Sequence, residues 1–338
     1  MSLQHFIDTQ DFTKEQLLEV IDLSLLIKEA AKQRATPKLL QDASLGMIFE
    51  YASTRTRVSF EVAMTQLGGH ALYLKPGEIH LGHLEDIGDT ANVLSRMVDA
   101  IMARVANHET IVDLAKAASV PVINGLTGGC HPTQVVCDIM TILEHMPEGK
   151  RLEDLHLVFM GESGPMSKSV MLICTQMGMR FTHVAPEGYL PPSEWKAEAE
   201  KNCETSGGSL AVTDEPKDAV KDADFIYADI LWWYDDEDII EERKKIFLPK
   251  YQVNMDLLQT APSHCKFMHC LPAVRNMEAT DEVMDSPQSI IFDQAENRLH
   301  TEKGILTWLV YPRLAPPEPD LRSKYAEEVS AFLERILD

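Results

Sequence analysis

LGMIFEYASTRTRVSFEVAMTQLGG, Leu45–Gly69, sets the reading of the whole chain. It reads as a buried strand over Leu45–Glu50, a polar turn, then a helix from Thr54 to Leu67. The turn is Ser53-Thr54-Arg55-Thr56-Arg57. Ser and Thr are good N-caps. Two arginines in a first turn, however, oppose the helix dipole, which favours negative charge there. An anion at the helix N-terminus resolves the conflict, held by backbone N–H groups, hydroxyls and guanidinium forks. A solvated basic turn is the plainer alternative. It suits Arg57, which can pair with Glu61 four residues on, but leaves Ser53, Thr54, Arg55 and Thr56 unexplained.

Outward from this stretch, strands and helices alternate. Thr13 and Gln16 predict a capping box opening an amphipathic helix to Lys32. After the central strand and helix come strand His70–Leu74, helix Asp89–Val98, strand Ala100–Val105, helix Glu109–Ala118, strand Val120–Asn124 and helix Pro132–His145. A second series runs through strand Leu155–Met160, helix Met166–Met177, strand Arg180–Val184, helix Ser193–Glu204 and strand Ser209–Thr213. It continues with a short helix, strands Phe225–Asp229, Lys266–Cys270 and Ser289–Phe292, and a helix from Glu296 to Val310. The expected fold class is α/β: two doubly wound parallel-sheet domains joined by interdomain helices, plus a C-terminal helix. The boundaries predicted are 1–148, 149–310 with a last helix crossing back to the first domain, and 311–338. The prolines of Tyr311–Asp320 predict a stiff extended linker. Leu321, Tyr325, Val329, Phe332, Leu333 and Ile336 beyond it fall at helical spacing, for a helix packed on its own chain or on a neighbouring subunit.

Composition bounds the function. The 338 residues carry 31 Lys and Arg against 53 Asp and Glu, a net charge of −22. Such a surface repels nucleic acid and anionic membranes and mildly favours a cationic substrate. No apolar run is long enough to span a bilayer and no signal peptide is read at the start, so a cytoplasmic protein is expected. The six cysteines include no CxxC pair and read as reduced thiols. His264, Cys265, His269 and Cys270 could hold zinc by residue type, but strand alternation sends near neighbours to opposite faces, so no metal is expected. Gly161 and Gly164 do not complete the dinucleotide fingerprint GxGxxG.

Four further motifs carry chemistry. Arg104 ends the strand IMARV, where α/β sheets place ligands. His131-Pro132-Thr133-Gln134 stands at a strand-to-helix junction with its proline at the helix start. His269-Cys270-Leu271-Pro272 follows another strand, and Glu296-Asn297-Arg298 puts an arginine in what reads as a first helical turn. In this order, the set resembles the aspartate/ornithine carbamoyltransferase family from about Asp11 to Trp308. The resemblance implies that Ser53, Thr54, Arg55 and Thr56 bind the phosphate of carbamoyl phosphate and that Arg104 bridges phosphate and carbonyl oxygen. It implies that His131 and Gln134 bind the carbonyl and amide, and that Cys270, Leu271 and Arg298 close the site from the second domain. Arg55, Arg104, His131 and Cys270 are the catalytic set so implied. The family further implies no metal, no organic cofactor, and a homotrimer with shared active sites. A contact from the adjacent subunit falls at His80, where ornithine enzymes commonly carry Gln.

The amine is read from departures. Ornithine enzymes of the family usually have a GDxxNN-like turn and an Asp followed by Ser-Met-Gly, both gripping the amino-acid part. Here the turn is Gly161-Glu162-Ser163-Gly164-Pro165-Met166, and Asp229 is followed by Ile230-Leu231-Trp232-Trp233-Tyr234. Carboxylate recognition is lost while the amine chemistry is kept, which suggests putrescine. KYQVN at 250–254, NCETSGGS at 202–209 and KFMHCLPA at 266–273 resemble the putrescine-using branch of the family. Trp232, Trp233 or Tyr234 would line the methylene chain, and Asp229 or the acidic run Asp235–Asp238 would hold the far ammonium. Ornithine, another amine, or a non-catalytic phosphate-binding paralogue are the alternatives.

Overall fold

The computed structural model describes residues 3–75, 77–79, 81–82, 84–231, 239–314 and 319–337. Helix α1 (Lys14–Lys32) opens with the predicted capping box. Thr13 Oγ1 accepts from the Gln16 N–H at 3.3 Å, and Gln16 Oε1 accepts from the Thr13 N–H at 2.9 Å. There follow β1 (Ser44–Phe49), α2 (Thr54–Leu67), β2 (His70–Leu74), α3 (Ile87–Leu94), β3 (Ala100–Arg104), α4 (His108–Ala117), β4 (Val122–Leu126) and α5 (Pro132–Glu144). The second series is β5 (His156–Met160), α6 (Pro165–Met177), β6 (Arg180–Val184), α7 (Ser193–Ser206), β7 (Ser209–Thr213), α8 (Pro216–Ala219) and β8 (Phe225–Ala228). Then come α9 (Ile240–Phe247), α10 (Met255–Leu258), β9 (Lys266–His269), α11 (Asp281–Met284), α12 (Ile291–Val310) and α13 (Pro319–Leu337).

The strands form two all-parallel sheets, ordered β2-β1-β3-β4 and β7-β6-β5-β8-β9. Strands β4, β5 and β8 are buried along their whole length: β5 and β8 lie inside their sheet, and Phe6 bridges to Ile123 on the outer edge of β4. In each sheet the order reverses once, between β1 and β3 and between β5 and β8. Ligands of doubly wound sheets bind beyond the strand C-termini at such reversals.

Helix α12 runs back from the second sheet and packs on α1, α2 and α5 of the first. The crossing with α1 is close: a methyl on Gly304 would lie 1.9 Å from Ser24 Oγ and 2.9 Å from the Val20 carbonyl oxygen. Lys28 of α1 donates to Glu144 of α5 at 2.7 Å and to Asn297 of α12 at 2.7 Å, so one buried ammonium fastens all three helices.

Four expectations change. Ser289–Phe292 is not a strand. The chain pairs with β9 only through Phe267, whose N–H donates to Gln288 O and whose O accepts from Ile290 N–H, and then turns into α12. That helix therefore starts five residues before Glu296, and Arg298 lies well inside it rather than in a first turn. Helix α3 stops at Leu94 instead of running to Val98; the Met97 and Val98 N–H groups both close onto Leu94 O. Tyr311–Arg313 forms a single 3₁₀ turn rather than extended linker, and Pro319 is the first residue of α13.

Candidate active site

One cleft lies at the C-terminal ends of both sheets, where both reversals open. Ser53, Arg55 and Thr56 enter it after β1, Arg104 from the end of β3, Leu126 from the end of β4, and His131 and Gln134 from the start of α5. The second half contributes Glu162, Gly164, Pro165 and Met166 after β5, Asp229 and Ile230 after β8, Cys270, Leu271 and Pro272 after β9, and Arg298 from α12. Residues read from motifs far apart in sequence thus meet at one place. Thr54 is exposed and does not line the cleft. Arg57 also stays outside. It pairs with Glu61 at 3.0 Å and stacks on the Tyr73 ring at 3.7 Å, as the plainer reading of the turn allowed. His80, Trp232, Trp233, Tyr234 and Asp235–Asp238 lie outside the described residues.

The first half is built for an anion. Ser53 is the N-cap residue of α2 but its side chain makes no capping bond, which leaves first-turn N–H groups to a ligand. Arg104 reaches the cleft because pairing of β3 with β4 shifts register there, Ala103 facing Asn124 and Arg104 facing Leu126. Gly125, the extra residue, has no room for a side chain: a Cβ would come within 2.5 Å of Met102 Sδ. Such a bulge re-aims the neighbouring side chain. Arg104 Nη1 lies 3.5 Å from Thr56 Oγ1, its Cζ stands 4.8 Å from the Tyr51 ring centre, and its Nε has no partner. Burial, with Arg298 and Arg55 nearby, pushes its pKa down to about 10, so it stays charged at neutral pH. Three guanidiniums therefore face one cleft.

His131 is the N-cap of α5, its N–H donating to Ser169 Oγ of α6 at 2.9 Å and its Nδ1 without a partner. Burial first, then Arg298, Arg104 and Arg55, hold its pKa well below the usual value. It is a neutral imidazole, suited to donate a hydrogen bond to a developing oxyanion. Arg298 Nη1 donates to Gln134 Oε1 at 2.8 Å, and its Nη2 to Glu302 at 2.6 Å and Thr56 Oγ1 at 3.4 Å, crossing from α12 to α5 and α2.

On the other side, Cys270 Sγ donates to Asp229 Oδ1 at 3.3 Å. Burial and then Asp229 push the thiol pKa well up, so Cys270 is a protonated donor and not a thiolate nucleophile. Leu271 adopts φ 56°, and its N–H donates to His269 Nδ1 at 2.9 Å. His269 Nε2–H then donates to buried Glu278 at 3.2 Å. That clamp on the turn employs both His269 nitrogens, while His264 Nε2 lies 2.7 Å from Asp224; no metal-binding cluster occurs among the described residues. Glu162 pairs with Arg243 of α9, whose guanidinium stands 4.6 Å from the Tyr189 ring centre. Sequence reading missed Asp138, Tyr227, Gln294 and Arg243. The first had a visible signal: it is the only acid between Pro132 and Ile142 in a helix that is otherwise largely apolar.

Comparison with known proteins agrees with this geometry. Residues 4–144 match the carbamoyl-P binding domain of the aspartate/ornithine carbamoyltransferases, and residues 153–309 match their Asp/Orn binding domain. A putrescine carbamoyltransferase of Mycoplasma capricolum is 49% identical over 340 residues, covering 98% of this chain and 93% of that protein. An ornithine carbamoyltransferase of Pyrococcus abyssi is 46% identical over 301 residues, covering 89% and 94%. The solved ornithine carbamoyltransferase of Pyrococcus furiosus superposes with a TM-score of 0.87 at 45% identity, over 91% of this chain and 97% of that one.

Proposed function

The chain belongs to the aspartate/ornithine carbamoyltransferase family, and from that premise we propose that it moves the carbamoyl group of carbamoyl phosphate onto putrescine, giving N-carbamoylputrescine and phosphate. The observation that carries the amine is the turn after β5. It lines the cleft with Glu162, Gly164, Pro165 and Met166, none of which carries a side-chain amide for an α-carboxylate. Asp229 on the same side favours a cation. The 49% identity with the M. capricolum putrescine enzyme supports the same choice.

In this reading Ser53, Arg55, Thr56 and the first-turn N–H groups, including that of Thr54, hold the phosphate. Arg104 bridges phosphate and carbonyl oxygen, His131 donates to that oxygen, and Gln134 takes the amide. Cys270, Leu271 and Arg298 close the cleft, and Asp229 receives the amine with Trp232 and Trp233 along its methylenes. A neutral amine attacks the carbamoyl carbon, the C–N bond forms, and an oxyanion develops against Arg104 and His131. The bond between the carbamoyl carbon and the bridging oxygen then breaks, and phosphate leaves against Arg55 with that oxygen and the proton shed by the attacking nitrogen. An alkylamine with a pKa of about 10.4 must enter or become the free base, so the rate rises with pH below that value.

Ornithine is the second reading, and one contact favours it. Arg243, released from Glu162, would offer a guanidinium to an α-carboxylate. Steady-state rates at saturating carbamoyl phosphate with putrescine, ornithine and a short diamine series separate the two. A higher kcat/KM for putrescine is expected; preference for ornithine refutes the amine assignment and leaves the carbamoyl half intact.

We also propose a homotrimer in which His80 of one subunit reaches the next subunit's cleft. Helix α13 supports an assembly, for its Leu321, Tyr325, Val329, Phe332 and Leu333 are all exposed along one stripe. Light scattering is expected to give three times the mass of the 38.0 kDa chain, and truncation after Arg313 to lower it. A monomeric full-length protein would end this proposal.

A further inference from the structure

Gln134 sits between two partners of opposite character. Its Oε1 accepts from Arg298 at 2.8 Å, and its Nε2 donates to Asp138 Oδ1 at 2.8 Å. A guanidinium only donates and a carboxylate only accepts, so one orientation of the amide satisfies both and the flipped one satisfies neither. Asp138 lies one turn further along α5 and is 2% exposed. It is fully used: Oδ1 also accepts from Gln294 Nε2 at 2.7 Å, and Oδ2 from the Tyr227 hydroxyl at 3.1 Å. Gln294 Oε1 in turn accepts the His269 N–H at 2.9 Å, one residue before Cys270.

We infer that Asp138 is a positioning residue that fixes the amide of Gln134 with its oxygen toward the cleft, and ties that orientation to the Cys270 turn through Gln294. The inference rests on the proposed placement of the carbamoyl amide against Gln134. An amide nitrogen of the substrate needs an acceptor, and a flipped Gln134 would present it with another donor. A carboxylate is required behind Gln134 because a neutral amide there could donate as well as accept, and would let the flip occur. Burial raises the Asp138 pKa to about 6 while its three hydrogen bonds oppose the rise, so the group is ionised at neutral pH.

The test compares Asp138→Asn, Gln134→Ala and the double variant, with whichever amine the wild-type enzyme carbamoylates. Two constants are read: KM for carbamoyl phosphate and the inhibition constant of inorganic phosphate, which meets the Ser53–Thr56 turn but carries no amide. Each single variant is expected to raise KM by about tenfold, with the double no worse than Gln134→Ala and phosphate inhibition within about twofold of wild type. If Gln134→Ala leaves KM unchanged, the placement of the carbamoyl group is wrong and the inference falls with it. If Gln134→Ala raises KM and Asp138→Asn does not, only the inference falls. Equal weakening of phosphate and carbamoyl phosphate by Asp138→Asn would show a structural role and overturn it. Tyr227→Phe guards against failure of Asp138→Asn to fold. It leaves the Asp138–Gln134 bond in place, so KM should hold, and a rise matching that of Gln134→Ala refutes the inference.

Discussion

Arg104→Met lowers carbamoyl transfer by about 10²–10³-fold, the loss typical when one preorganised oxyanion donor is removed. The geometry explains why no neighbour compensates. Arg104 is aimed by the register shift at Gly125, and its Nη1 stands 3.5 Å from Thr56 Oγ1, on the side where phosphate and carbonyl must both lie. His131 can still donate, but it is neutral and brings no charge. A second effect has the opposite sign. Arg104 is partly buried beside Arg298 and Arg55, both of which depress its pKa. Removing one of three mutually repelling cations should therefore raise the thermal midpoint of the ligand-free enzyme, while phosphate stabilises the variant less than the wild type. Activity assays and melting curves with and without phosphate check both halves. Turnover within tenfold of wild type would remove Arg104 from the reacting group.

The cleft's first half was legible because its signal is local. Arginines in the first turn of Thr54–Leu67 break a rule that seven contiguous residues suffice to reveal. Strand alternation and capping likewise depend on neighbours in sequence, and most elements fall within two residues of expectation at each end. What stayed hidden depends on tertiary burial. Arg298 reads as a first-turn residue until α12 is seen to begin at Ile291 and to carry it against Gln134 of α5 and Thr56 of α2. Ser289–Phe292 has the composition of a strand, but it meets β9 at Phe267 alone before the chain turns into α12. The Glu162–Arg243 pair joins a turn to a helix that apolar periodicity does not announce, since α9 reads IEERKKIF.

Arg298→Met destabilises the enzyme by about 3–5 kcal/mol near pH 8, because it leaves a buried carboxylate without its cation. Glu302 is fully buried, accepts from Arg298 Nη2 at 2.6 Å, and its Oε2 has no partner. Burial already pushes its pKa up to about 7 in spite of Arg298 and Ser59, which pull it down. Without the guanidinium it rises further. A carboxyl whose folded pKa lies above its unfolded value binds more protons in the native state, so its contribution is complete below about pH 4.5 and is lost as pH rises through the folded value. The gap between wild type and Arg298→Met should thus be wide near pH 8 and narrow near pH 6, where the variant's Glu302 is protonated. Glu302→Gln added to Arg298→Met removes the orphaned charge and should recover much of the loss. Urea midpoints of the three proteins at both pH values decide it. A gap that does not change with pH, or a double variant no more stable than the single, would mean that Arg298 supports the fold by packing α12 on α2 and α5 and not by neutralising Glu302.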